Sequence, residues 1–307
     1  MKAFTAVAAA ALCLTAFGAH AAAKTDKGFD IAITVDDLPV HGSVTPGLSR
    51  ADIARNYINA LKAHKVPEAY GFVNAVGIQR EPGSEEALKL WRAAGYPLGN
   101  HTYTHMNINS GTVEAFEADI VANEPTLKTY MPNEDWHFLR FPFLSGGDAT
   151  HHDPVNAWLK AHDYRIADVS VSFDDWAYSD TYGRCLANND QASIAVLKTR
   201  YLAGVDAGIV RMKALSQTVY GRTIPQVLLT HIGGFASIML PDVLNRLDAA
   251  GAHYVTLEKA ESDPAYAETD PKAGDGTVME RTAYQTGKDI SKVPAGAGSG
   301  GIDGMCR

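Results

Sequence analysis

The strongest constraint on this chain's fold is an alternation of short β-rich runs with amphipathic helical stretches, sustained from about residue 29 to residue 257. Residues 29–35 (FDIAITV) read as a buried strand that ends in Asp36-Asp37 and is bounded by Pro39 and Gly42. Residues 50–64 carry Ala51, Ala54, Tyr57, Ile58 and Leu61 at helical spacing behind Ser49, a capping residue. A strand over 69–73 follows, then a helix over 84–94 capped by Ser84 and stopped by Gly95. The same logic predicts strands over 97–100, 138–141, 165–171, 226–229 and 253–257. Helices are predicted over 113–130, 155–162, 191–220 and 240–250. Strands alternating with helices build a parallel sheet, so the fold class is α/β, and roughly seven such units suit a barrel better than a small open sheet.

The flanks read differently. Lys2, an apolar run over 3–17 and Ala19-His20-Ala21 form a secretory signal peptide over residues 1–21, too short and poorly flanked for a membrane anchor. The expectation is an exported protein, periplasmic or secreted, with no membrane span after cleavage. Removing the leader leaves Cys185 and Cys306, and two thiols in an oxidising compartment suggest a disulfide. Beyond Glu261, Asp, Pro, Lys, Gly and Ser dominate. Residues 262–307 are therefore expected to be a C-terminal tail, extended or partly disordered, after a domain over 28–261. A net charge of −8 without basic runs makes nucleic acid a poor partner.

Two short stretches carry chemistry. Asp36-Asp37 places adjacent carboxylates at the end of an apolar strand, which is costly unless a cation sits beside them. His101-Thr102-Tyr103-Thr104-His105 places two imidazoles four residues apart, where one helical turn would let them grip one ion. Two neutral imidazoles and one carboxylate make a three-ligand site with an open position, and the second carboxylate is then free to act as a base. Each stretch taken singly has an ordinary structural reading as a turn or a surface histidine pair.

At this point the chain resembles the polysaccharide deacetylase family (NodB homology, carbohydrate esterase 4). Five ordered stretches carry the resemblance: Thr34-Val35-Asp36-Asp37-Leu38, His101 to His105, Arg140-Phe141-Pro142-Phe143, Asp175-Trp176 and Leu229-Thr230-His231. The resemblance implies a distorted (β/α)7 barrel and hydrolysis of N-acetyl groups on an acetylated glycan. It implies that Asp37, His101 and His105 hold a divalent ion, with Zn2+ the first candidate. Asp36 would be the base, Arg140 its partner, His231 the acid and Asp175 the residue that tunes it. The backbone N–H of Phe143 would help hold the oxyanion, and Trp176 and Leu229 would wall the acetyl pocket.

Leu38 stands where the family has Gly, and Phe143 where Tyr is commoner. These departures bear on the substrate more than on the chemistry. An esterase for O-acetyl groups, a hydrolase of small amides and a non-catalytic glycan-binding protein stay open as alternatives. His41 lies close enough to the first motif to line the cleft.

Overall fold

The computed structural model describes residues 1, 28–267, 274–296 and 298–307; apart from its first residue, the expected leader lies outside them. Strand β1 (Phe29–Leu38) leads through α1 (Arg50–Ala63) to β2 (Ala69–Val73), α2 (Val76–Arg80), α3 (Glu85–Ala93) and β3 (Leu98–Asn100). Then come α4 (Val113–Tyr130), β4 (Phe138–Leu139), α5 (His152–Ala161), β5 (Arg165–Ile166) and β6 (Val171–Ser172). Helices α6 (Ser179–Ala187) and α7 (Gln191–Tyr220) precede β7 (Gln226–His231), α8 (Gly234–Ala249) and β8 (Ala252–Tyr254). Helices α9 (Leu257–Glu261), α10 (Pro264–Ala267) and α11 (Val278–Thr286) follow.

The strands form one parallel sheet in the order β5-β4-β3-β2-β1-β7-β6. Strand β1 is central, and Ile31, Ala32, Ile33 and Val35 are all buried. An unbroken apolar run is what a parallel strand covered on both faces requires. Ile31 partners both Gln226 of β7 and Tyr254 of β8, so β8 lies along the β2 edge of β1, below the point where β2 begins.

The two ends of the sheet are consecutive in the chain. The single strand expected over 165–171 is broken, and its halves pair with opposite edges. The Ala167 amide donates to Leu139 O of β4 at 2.8 Å, and the Ser170 amide donates to Val227 O of β7 at 3.0 Å. One segment thus spans the gap between β4 and β7, giving the distorted (β/α)7 barrel. A regular strand could not do this here, because Asp168 turns out of the sheet. Its amide donates to Glu261 Oε1 at 2.7 Å and its carboxylate pairs with Arg281.

Other boundaries differ for local reasons. Ser49 closes a capping box with Asp52, whereas Ser84 makes no capping bond and instead donates its hydroxyl to Gly77 O. Helix α8 begins at Gly234 rather than 240, and the last strand stops at Tyr254, where α9 takes over. The tail is not extended throughout. Helix α11 starts at a Thr277–Glu280 capping box and buries Val278, Met279 and Ala283. The sequence signal for it, Thr-x-x-Glu enclosing the apolar pair Val278-Met279, sits in a stretch whose composition otherwise hides it.

Cys185 of α6 is bonded to Cys306, 121 residues away. Closing a loop of that length constrains the unfolded chain strongly. The Cys306→Ser variant should therefore lose about 2–4 kcal/mol of unfolding free energy, read as a lower urea midpoint. Reductant should bring the wild type down to the variant and leave the variant unmoved. Equal midpoints without reductant would show that the bridge adds nothing.

Candidate active site

The site is built on the C-terminal end of β1. Neighbouring strand residues normally face opposite sides of a sheet. Here the register of β1 against β2 shifts between Val35 and Leu38, and Asp37 takes a φ of 66°. That left-handed turn brings Asp36 and Asp37 into one cavity instead of opposite faces. Such a φ is costly for a residue with a side chain and persists only where surrounding contacts impose it.

Asp36 is buried against Arg140. The guanidinium donates from Nη1 to both Asp36 oxygens at 3.2 and 3.4 Å, from Nη2 to Thr34 Oγ1 at 3.1 Å, and from Nε to Ala167 O at 2.7 Å. Its carbon sits 4.6 Å from the centre of the Phe72 ring. A buried ion pair persists only with its remaining donors engaged, and here all three nitrogens are.

On the other side of Asp36, Asp37 meets two imidazoles. Asp37 Oδ1 lies 3.5 Å from His101 Nε2 and 3.6 Å from His105 Nε2, and one donor atom from each of the three residues falls within 4.8 Å of the others. Asp37 Oδ1 is buried with no hydrogen-bond partner among the described residues. A tetrahedral ion with bonds of ~2.0–2.2 Å would set its ligands ~3.3–3.6 Å apart. The donor set of two nitrogens and one oxygen, with an orphaned carboxylate oxygen between them, fits a divalent cation. His101 Nδ1 donates to Arg140 O at 2.7 Å, which leaves its Nε2 lone pair for the cavity.

The two histidines do not share a helical turn, as their spacing suggested. They sit on a loop after β3, with φ of 60° at both Thr102 and His105. Buried asparagines hold this loop. Asn74 donates to the carbonyls of His101 and Thr102, and Asn100 Oδ1 accepts from the Thr102 amide and from Asn123 Nδ2, each at 2.9 Å. Thr104 donates to Asp119 from both its amide and its hydroxyl. Burial, helped by the neighbouring His101, lowers the His105 pKa to about 4. Burial alone would raise the Asp37 pKa, but the hydrogen bond and charge of His41, with the nearby imidazoles, hold it well below the usual carboxylate range. At neutral pH both are in their ligand forms.

Across the cavity stands a second pair. His231 is register partner to Asp36. His231 Nδ1 lies 2.9 Å from Asp175 Oδ1, and its amide donates to Asp175 Oδ2 at 2.7 Å. Burial pulls the His231 pKa down, but Asp175, aided by Asp37 and Asp36, outweighs it and raises the value to about 9. Burial, then Asp175, raises the pKa of the adjacent Asp174.

The family profile described as "Polysaccharide deacetylase" matches residues 23–167. That stretch, just under half of the chain, is similar to this family. A chitin disaccharide deacetylase from Vibrio alginolyticus is 25% identical over 196 residues, 55% of this chain and 42% of that relative, so the match spans less than half of the relative's length. The chitin deacetylase of the fungal pathogen Colletotrichum lindemuthianum superposes with a TM-score of 0.52 at 17% identity, covering 76% of this chain and 88% of that one. A CE4 family pseudoenzyme from Bacillus anthracis gives 0.50 at 14% identity, covering 76% and 66%. Likeness at these identities shows the fold alone. A pseudoenzyme shares it, so the chemistry has to be argued from side chains.

The polysaccharide deacetylase profile stops before Asp175 and His231, and the structure brings them to the same cavity as the earlier motifs. Asp36, Asp37, His101, His105, Phe143, Trp176, Leu229 and His231 all line a cavity of about 840 Å³, with Arg140 and Asp175 behind as partners. Phe143 and Trp176 are more than half exposed, and Leu229 is buried. The cavity also reaches residues that no sequence motif marked. Met212 and Leu215 of α7 are two, read only as the apolar face of a helix; Thr277 and Glu280 of the tail are two more. The tail is held there by Gly276 N to Leu144 O at 3.1 Å and by Arg211 Nη2 to Glu280 Oε1 at 3.1 Å.

The His231 pair generates a pH signature. Its folded pKa of about 9 lies above the reference value of 6.5, so the protonated ring stabilises the fold fully below about 6.5, and that contribution is lost as pH rises through about 9. The His231 ring should therefore titrate near 9 by nitrogen-15 NMR, with unfolding free energy falling across this window. In the Asp175→Asn variant burial acts without its main opponent, so the midpoint should drop and the slope flatten. An unchanged midpoint in that variant would rule out Asp175 as the cause.

Proposed function

We propose that this chain is a metal-dependent hydrolase that removes N-acetyl groups from an amino-sugar polymer or oligomer, of the peptidoglycan, poly-N-acetylglucosamine or chitin type. The observation that carries the reading is the unpaired Asp37 oxygen facing two imidazole nitrogens, flanked within one cavity by a buried carboxylate–arginine pair and a histidine–carboxylate pair. The likeness of residues 23–167 to polysaccharide deacetylases and the chitin disaccharide deacetylase activity of the Vibrio relative support it.

Asp37, His101 and His105 would hold the divalent ion, with Zn2+ first among candidates. When bound, such an ion polarises an acyl carbonyl and makes nearby water more acidic. The remaining work falls to the chain's own groups. Asp36, oriented by Arg140, accepts a proton from the attacking water. His231, held protonated by Asp175, donates one to the departing nitrogen. An amine leaves an amide only when protonated, so a cationic imidazole facing the cavity at neutral pH favours N-acetyl over O-acetyl substrates. Trp176 and Leu229 enclose the acetyl methyl, and the exposed ring of Phe143 offers a face for a sugar. The leader-like residues 1–21 and the Cys185–Cys306 bridge support action outside the cytoplasm, on envelope or extracellular glycan.

Purified protein should release acetate from N-acetylated glucosamine oligomers, stop after chelation and recover with Zn2+. The Asp36→Asn variant should lose about 10²–10⁴-fold in kcat while still binding metal, as removal of a general base predicts. Failure to release acetate across a panel of N- and O-acetylated glycans would sink the reading.

A further inference from the structure

We propose that His41 is a positioning residue that fixes which oxygen Asp37 presents to a divalent cation; the inference rests on the metal-centre reading above. A carboxylate can offer either oxygen, or both. Here His41 Nδ1 lies 2.7 Å from Asp37 Oδ2, four residues back along the chain. The carboxylate accepts, so Nδ1 carries the proton and Asp37 Oδ2 is committed. Only Oδ1 is left to face His101 Nε2 and His105 Nε2, and it is the oxygen with no partner.

His41 is itself held from three directions. Arg50 donates from Nη1 to His41 O and from Nη2 to Gly42 O, both at 2.8 Å, and Glu81 pins the same guanidinium at 2.8 and 2.7 Å. Gly42, with a φ of 64°, turns the chain back at this point. The imidazole lies against the His231 ring, with centroids 4.8 Å apart. Gly233 makes that contact possible, since a Cβ there would come within 2.9 Å of His41 Cδ2 and 2.4 Å of Ser179 Oγ. A line of contacts therefore runs from Glu81 and Arg50 through His41 to Asp37. Among the described residues no hydrogen bond engages the buried His41 Nε2, so the ring's hydrogen bond there is spent on Asp37.

Outer hydrogen bonds to metal ligands typically set affinity by 10–100-fold. Zn2+ binding to the full chain, stripped of metal and titrated by calorimetry, tests the assignment. His41→Ala should weaken Zn2+ binding 10–100-fold. His41→Asn, whose amide N–H can occupy the place of Nδ1, should restore most of it, while His41→Gln should not. Wild-type affinity in His41→Ala would overturn the assignment. So would equally weak binding in the Ala and Asn variants with a matching fall in metal-free melting temperature, since that marks a packing role. A wild type that binds no Zn2+, Co2+ or Mn2+ would instead overturn the metal centre itself, and His41's role with it.

Discussion

The end of β1 must hold two adjacent, largely buried carboxylates in one cavity. Two unit charges ~4 Å apart repel by ~4 kcal/mol at an effective dielectric of 20, a large fraction of a domain's net stability. The surrounding structure answers that repulsion asymmetrically. Asp36 receives a buried guanidinium, whereas Asp37 receives His41 on one oxygen and two imidazole nitrogens near the other. This asymmetry separates a carboxylate suited to moving protons from one suited to binding a cation. His231 across the cavity takes part in the same balance, because Asp36 and Asp37 both help to keep its ring protonated.

Much of this was legible in the sequence. The chemical residues lie at strand ends, where one-dimensional order maps simply onto position in a parallel barrel. The five motifs therefore converge on one cavity, as their order implied. What the sequence did not show is how each residue is aimed. His-x-x-x-His suggested a helical turn, but the structure uses a loop with two left-handed residues, held by Asn74, Asn100 and Asn123. Amide side chains far apart in the chain leave no periodic trace. Asp37 likewise departs from strand geometry: Asp tolerates a positive φ better than most residues, but the Asp36-Asp37 pair does not say which of the two adopts it.

Two further differences, the broken strand over 165–171 and the ordered tail helix, share one physical origin, the closing of the barrel. A continuous β-rich run over 165–171 satisfies every local criterion for one strand. Its backbone partners, however, lie on two different edges, and only the three-dimensional arrangement says so. Once the strand breaks at Asp168, the gap must be filled. Glu261 accepts from the Asp168 amide, Arg281 of α11 pairs with its carboxylate, and the Val278 amide reaches Val169 O at 2.8 Å. The tail helix is ordered by a vacancy in the sheet rather than by its own composition. For the same reason, tail residues end up lining the cavity.

Arg140 joins these themes. One guanidinium reaches Asp36, the Thr34 hydroxyl and the Ala167 carbonyl, so it holds the Asp36 carboxylate while fastening the closing segment to β1. Thr34 in turn donates to Leu228 O at 2.7 Å, extending the connection into β7, the strand that carries His231. The orientation of Asp36 and His231 is thus tied to the same bonds that close the ring. A lysine here would keep the charge but not the planar fork, and its single ammonium, on a flexible stem, could not satisfy three acceptors arranged around a guanidinium plane. The geometry of this cavity therefore depends less on the strength of any one ion pair than on a cation whose shape matches the gap left by the broken strand.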